Sequence, residues 1–192
     1  MIDFSLSSEQ KFLIKMTREF ANTELASGIS YRDRHSQFPK EQIKKMGELG
    51  LMGMMVPKKW GGSGFNTASY VLAIEEIAAV ELATSTIMSV NNSLVCQVLL
   101  DWGNSEQKNK FLKPLAKGEK LGAYSLSEPQ SGSDARNMKT FAKKNGNKYI
   151  INGTKNWVTS GQNSDLVICF CLTKKEVKRK NISCFIIDKN TP

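Results

Sequence analysis

Apolar residues return every three to four positions through Leu13, Met16 and Phe20, the period of one helical face. Ser7 and Gln10 stand just before that run at capping-box spacing, so a helix is predicted to begin there. Pro39 opens a second short helix, with Ile43, Met46 and Leu49 facing inward and Gly50 as its stop. The apolar stretch Leu51 to Pro57 reads as an extended connector, and Gly61-Gly62-Ser63-Gly64 as a loop. Thr67 is placed to cap a third helix whose apolar face holds Val71, Ile74, Ile77 and Ala78. A fourth helix runs through Leu94, Val95, Val98 and Leu99 to Gly103. Ser105 begins a fifth, interrupted near Pro114.

The period changes at about Leu121, where helical spacing gives way to short runs separated by turn pairs. Asn145-Gly146 and Asn152-Gly153 are hairpin signals, with Tyr149-Ile150-Ile151 between them. Thr154 to Ser160, Leu166 to Leu172 and Ile182 to Asp188 are the further strand candidates. The predicted class is α+β. Residues 1–120 form an all-α domain, followed over residues 121–192 by an antiparallel β region. That region stops at Thr191-Pro192 directly after a strand, so it is expected to be incomplete.

Composition narrows the partners. The 192 residues are 40% hydrophobic and 23% charged, a globular balance. The net charge of +9 comes from 22 lysines and 5 arginines against 18 acidic residues. Nucleic-acid readers lean on arginine for base contacts, so the charge reads as a solvated basic surface, with Lys174 to Lys180 as a hairpin tip. The start, Met1 to Leu6, lacks the basic and apolar regions of a targeting segment. Leu82 to Leu100 is uncharged, but Ser85, Ser89, Asn91, Asn92, Ser93 and Gln97 make it a buried helix instead of a membrane span. Four cysteines (96, 169, 171 and 184) and one histidine supply neither a zinc set nor a disulfide framework. Cys169 and Cys171 are expected to share one strand face as small core residues.

Two segments could carry chemistry. Tyr124 to Asp134 begins as a strand and ends as a polar loop rich in hydroxyls and free N–H groups. Such a loop suits a phosphate or a polar ring edge, although on composition alone an ordinary strand exit is the favoured reading. It is not a dinucleotide fingerprint, because GxGxxG is absent. In Asn156 to Gly161, Trp157 and Thr159 would share one strand face. An indole beside a hydroxyl can stack on a flat ring and bond its edge, or simply pack in a core with a polar rim. His35 lies in a polar run read as loop, so no nucleophilic triad assembles. Glu75 and Glu76 point to different helix faces and form no paired-carboxylate site.

Tyr124 to Asp134, with Trp157-Val158-Thr159 about thirty residues on, resembles the flavin-binding region of the acyl-CoA dehydrogenases. Lys45 to Leu51, Val56 to Gly64 and Ile87 to Leu94 are similar to the short-chain (butyryl-CoA) branch. The blocks run in order over essentially the whole chain. Ser125 departs from the smaller residue commoner there, and Asn137 from Gly, Ser or Ala.

The resemblance implies a helical domain, a middle barrel-like β domain, and a C-terminal four-helix bundle that these residues do not include. It implies α,β-dehydrogenation of an acyl-CoA thioester: a carboxylate takes the α proton while a hydride passes to flavin N5. The implied FAD residues are Tyr124, Leu126, Ser127, Gly132, Ser133, Trp157, Val158 and Thr159. Backbone groups and the Ser127 hydroxyl would serve the pyrimidine edge, Thr159 would bond near N5, and Trp157 would pack on the ring. Ser133 would also contact the CoA part of the substrate, and Leu94 would line the acyl pocket. The family's base lies in the bundle, so no catalytic residue is named and the chain alone is expected to be inactive. A non-catalytic flavin or acyl-CoA binding module is the alternative. The implied partners are an electron-transfer flavoprotein and identical subunits in a tetramer, in a bacterial cytoplasm or a mitochondrial matrix.

Overall fold

The computed structural model describes residues 5–174 and 181–191. The chain divides into two compact units, Met1–Lys120 and Leu121–Pro192. The expected basic tip beyond Lys174 lies outside the described residues.

The first unit is helical. Helix α1 (Ser8–Phe20) starts at the predicted box: Ser7 Oγ accepts from the Gln10 N–H at 3.1 Å, and the Gln10 side chain accepts from the Ser7 N–H at 3.0 Å. It buries Leu13, Thr17 and Phe20 and continues as a π-helical turn, Ala21–Leu25. Helix α2 (Ile29–Arg34) takes up most of the run expected as loop, and His35 caps its end, stacked on Tyr31 at 4.2 Å. Arg32 of α2 is buried against Glu81, which also accepts from the Thr84 hydroxyl.

Helix α3 (Lys40–Glu48) buries Ile43 and Met46 as predicted. Leu49 is instead 42% exposed, because the helix has ended and Gly50 turns left-handed at φ 74°. Leu51–Gly53 is a 3-10 turn and not extended chain. In α4 (Thr67–Ala78) the cap is Asn66, whose side chain accepts from the Ser69 N–H. The buried stripe is Ser69, Tyr70, Ala73 and Ile77, so Val71 faces out. Arg18 of α1 reaches across to Glu76 of α4 at 2.7 Å.

Helices α5 (Leu82–Ser89) and α6 (Gln97–Trp102) are joined through a π-helical stretch, Val90–Cys96, so residues 82–102 form one helical rod. Asn104 then caps α7 (Ser105–Gln107), which runs through a π turn into α8 (Lys113–Ala116). Pro114 stands at the junction of the π turn and α8, inside this continuous run, and donates no backbone bond to the turn before it. The centre is filled by Leu25, Met46, Met52, Met54, Ile77 and Met88, and the four methionines are flexible enough to fit the gaps between irregular helices.

The second unit is one sheet of β1 (Gly122–Ser125), β2 (Phe141–Asn145), β3 (Lys148–Asn152), β4 (Leu166–Leu172) and β5 (Ile182–Asp188). β4 is central. β5 pairs with it antiparallel along its length, while β1 and the start of β2 share its other edge, both parallel. The α+β class holds, with the helical unit first. The sheet, however, is mixed where a wholly antiparallel one was expected, and it is not closed into a barrel. Asn145-Gly146 makes its hairpin, pairing Asn145 with Lys148. Asn152-Gly153 makes none, since residues 153–158 carry no regular structure.

Cys169 and Cys171 share a buried face, with sulfurs 3.6 Å apart, against Ala142, Phe185 and Ile187. Gly153 is required by close approach. A Cβ there would lie 2.3 Å from Thr140 Oγ1 and 2.6 Å from Thr140 Cα. Gly153→Ala is therefore expected to destabilise this unit by about 2 kcal/mol. Urea unfolding measures it, and an unchanged midpoint would mean that the start of β2 yields freely.

Candidate functional site

The two chemistry-bearing segments meet. β1 delivers Tyr124, half-buried and 5.2 Å from the Phe170 ring on β4. Burial raises its phenol, with a smaller contribution from Cys184. Beyond β1 the chain leaves the sheet through Leu126 and Ser127, both half-buried. The Ser127 carbonyl accepts from the Asn156 N–H at 3.0 Å. The Leu126 carbonyl accepts from the Lys155 ammonium at 2.9 Å. These bonds tie the strand exit to residues 155 and 156, immediately before Trp157.

Trp157 and Thr159 do not share a strand face as expected. Trp157 has φ 57° and Ser160 φ 62°, left-handed conformations that no strand accommodates. A bulky residue in that region is strained by roughly 1–3 kcal/mol, which points to a role for the residue so held. The indole is 90% exposed, so it is not core packing. Val158 and Thr159 are half-buried beside it in the chain. Ser160 Oγ and Asn156 Oδ1 are buried with no hydrogen-bond partner among the described residues. Buried groups of this kind are ordinarily completed by an ordered water or another polar group.

Gly132 and Ser133 lie exposed in the loop that follows. That loop is closed by paired backbone bonds between Glu128 and Ser131, and by the Ser131 hydroxyl donating to the Asp134 carbonyl at 2.8 Å. Gly132 has open space where a Cβ would stand, so no contact among the described residues demands glycine there. Leu94 belongs to the helical unit. It sits in the π-helical stretch Val90–Cys96 and is 38% exposed. π-helical turns occur frequently at functional sites.

The residues that hold this arrangement were not singled out from sequence. The Glu128 side chain is 2% exposed and the Lys155 side chain 10%, and they pair at 2.8 Å. Glu128 also accepts from the backbone N–H groups of Lys139 at 2.6 Å and Thr140 at 3.0 Å, and from the Gln130 amide. Burial pushes its carboxyl up, but bonds from Lys155 and these N–H groups outweigh it and hold the carboxyl at about 2. The two residues are 27 positions apart, and no periodicity links such a pair.

Residues 7–119 match the family model for the acyl-CoA dehydrogenase N-terminal domain, and residues 123–192 that for the acyl-CoA dehydrogenase middle domain. The chain belongs to the acyl-CoA dehydrogenase family. It is 44% identical over 187 residues to an acyl-CoA dehydrogenase of Bacillus subtilis, covering 97% of this chain and 49% of that protein. The structure of butyryl-CoA dehydrogenase from Megasphaera elsdenii matches with TM-score 0.93 and 36% identity, covering all of this chain and 51% of that one. Glutaryl-CoA dehydrogenase from Mycobacterium smegmatis, solved with FADH2, matches with TM-score 0.90 and 32% identity over 97% and 47%. This acyl-CoA dehydrogenase chain thus spans about half the length of the relatives it matches. Among the described residues, no helix is long and apolar enough to cross a membrane.

Proposed function

We propose that the protein carrying this chain is an FAD-dependent dehydrogenase of short-chain acyl-CoA thioesters, forming the trans-2-enoyl-CoA. The observation that carries the reading is the joint at Leu126-Ser127 and Lys155-Asn156, with the exposed Trp157 next in sequence. The groups present fit FAD. The partnerless Asn156 Oδ1 and Ser160 Oγ, the Ser127 and Thr159 hydroxyls and the loop N–H groups are polar partners without fixed charge. An exposed indole is a stacking surface.

When bound, FAD supplies the acceptor for the hydride. On this reading Tyr124, Leu126, Ser127 and Gly132 flank the flavin, with Ser127 holding the pyrimidine edge. Trp157, with Val158 beside it, would pack against the ring system, and Thr159 would bond near the redox-active nitrogen. Fixed donors of this kind stabilise charge that develops during reaction without having to reorganise. Ser133 serves both cofactor and CoA, and Leu94 lines the acyl pocket. No residue here is assigned as the base. The carboxylate is assigned to a part of the protein outside these residues, and the 192-residue chain alone is expected not to turn over. An electron-transfer flavoprotein as oxidant and a tetramer of identical subunits complete the proposal. Its place is a bacterial cytoplasm or the mitochondrial matrix.

Titration of the natural full-length protein with butyryl-CoA tests it. Bleaching of the visible flavin absorbance is the expected result. Binding without bleaching would favour the non-catalytic module, and a protein that takes up neither flavin nor thioester would overturn both readings.

A further inference from the structure

We propose that Lys155 and Glu128 are the positioning pair of the flavin site: one buried ion pair sets the two cofactor-flanking segments against each other. This rests on the flavin reading above and concerns residues that reading does not use. The Lys155 ammonium is shared between the Leu126 carbonyl at 2.9 Å and Glu128 at 2.8 Å. It therefore fixes the height of the strand exit that carries Leu126 and Ser127. Next to it, the Asn156 N–H holds the Ser127 carbonyl at 3.0 Å. The next residue is Trp157, whose left-handed φ of 57° persists only where its surroundings over-determine it.

Glu128 anchors the other side. Its oxygens accept from Lys139, Thr140 and Gln130, so the ammonium is braced against the start of β2. A buried pair is weak evidence for stability, since apolar replacements of both partners are often neutral. Its value here lies in direction. The carbonyl bond at Leu126 fixes one segment relative to the other, which an apolar pair could not do.

Lys155→Met alone would leave Glu128 buried and unpaired, so the informative variant is the double change E128Q/K155M. It removes both charges and keeps one acceptor oxygen, which can serve the Thr140 N–H, while the Lys139 N–H on the other oxygen loses its acceptor. In the full-length protein, FAD affinity is expected to fall about tenfold or more, the loss of one charge-assisted bond at the site. The visible spectrum of any flavin still bound should change, while the apo melting temperature falls by only a few degrees, well short of the loss in Lys155→Met alone. Lys155→Arg keeps a cation able to reach the same carbonyl and should restore affinity to within about threefold of wild type. Wild-type FAD affinity and an unchanged flavin spectrum in E128Q/K155M would overturn the positioning role alone. A wild-type protein that takes up no flavin would overturn the flavin reading, and this inference with it.

Discussion

Glu128→Leu is expected to destabilise the sheet unit by about 3–5 kcal/mol, because it strips the partner from a buried cation. The ammonium of Lys155, whose side chain is 10% exposed, would keep only the Leu126 carbonyl. The N–H groups of Lys139 and Thr140 would lose their acceptor as well. Glu128→Gln should do less harm, since its one amide oxygen still accepts from Lys155 and the Thr140 N–H, although the Lys139 N–H loses its acceptor. Acid gives an independent reading of the same carboxylate. Its folded pKa, about 2, lies below the ordinary carboxyl value near 4.3. A group depressed in the folded state stabilises fully above its unfolded value, and that stabilisation is lost as pH falls toward the folded one. The wild type should therefore lose stability between about pH 4 and pH 2. The gap between wild type and Glu128→Leu should narrow across that window. Urea unfolding followed by circular dichroism measures both. A gap that stays constant from pH 6 to pH 2 would show that the carboxylate is not what the variant removes.

Much of the architecture is legible in local signals, because the features concerned are local. The capping box at Ser7 and Gln10 closes as its spacing requires. Strands β4 and β5 occupy the two apolar runs expected of them. The misreadings in the sheet unit share one cause: a distant partner decides the local conformation. Thr154 to Ser160 has strand-like composition, but Lys155 and Asn156 bond to Leu126 and Ser127, and Trp157 and Ser160 turn left-handed. β1 lies parallel to β4 in a register set across forty-odd residues, which no turn motif encodes. On α4 the apolar residues outnumber the sites available for burial, so periodicity alone could not choose Tyr70 and Ala73 over Val71 and Ile74. For the site, residue chemistry left a plain strand exit open as an alternative. The resemblance pointed past it, yet neither approach marked Glu128 or Lys155.

Asn92→Ala should be among the most damaging changes in the helical unit. Its side chain is 2% exposed and serves three backbone groups. It accepts from the Met54 N–H at 2.7 Å, and donates to the Leu51 carbonyl at 2.9 Å and the Met88 carbonyl at 3.0 Å. Asn91 does related work, donating to the Met52 carbonyl at 2.8 Å and the Leu115 carbonyl at 3.3 Å. The segment Leu51 to Met54 needs this help. It is a buried 3-10 turn, so its backbone has neither a full helix nor water to bond. Both asparagines stand in the π-helical stretch that also carries Leu94, so the same widened turn that aims them at residues 51–54 sets the position of Leu94. Removing the Asn92 amide leaves one buried N–H and one buried carbonyl of that turn without their partner. Each such loss costs about 1–3 kcal/mol, so about 4 kcal/mol is expected, or a melting temperature lower by about 10 °C. Asn92→Asp keeps the acceptor for Met54 but loses both donated bonds and buries a charge, so it should rescue nothing. Thermal unfolding of the two variants decides the matter. A small loss in Asn92→Ala with a large one in Asn92→Asp would mean that water enters the cavity and takes over the bonds.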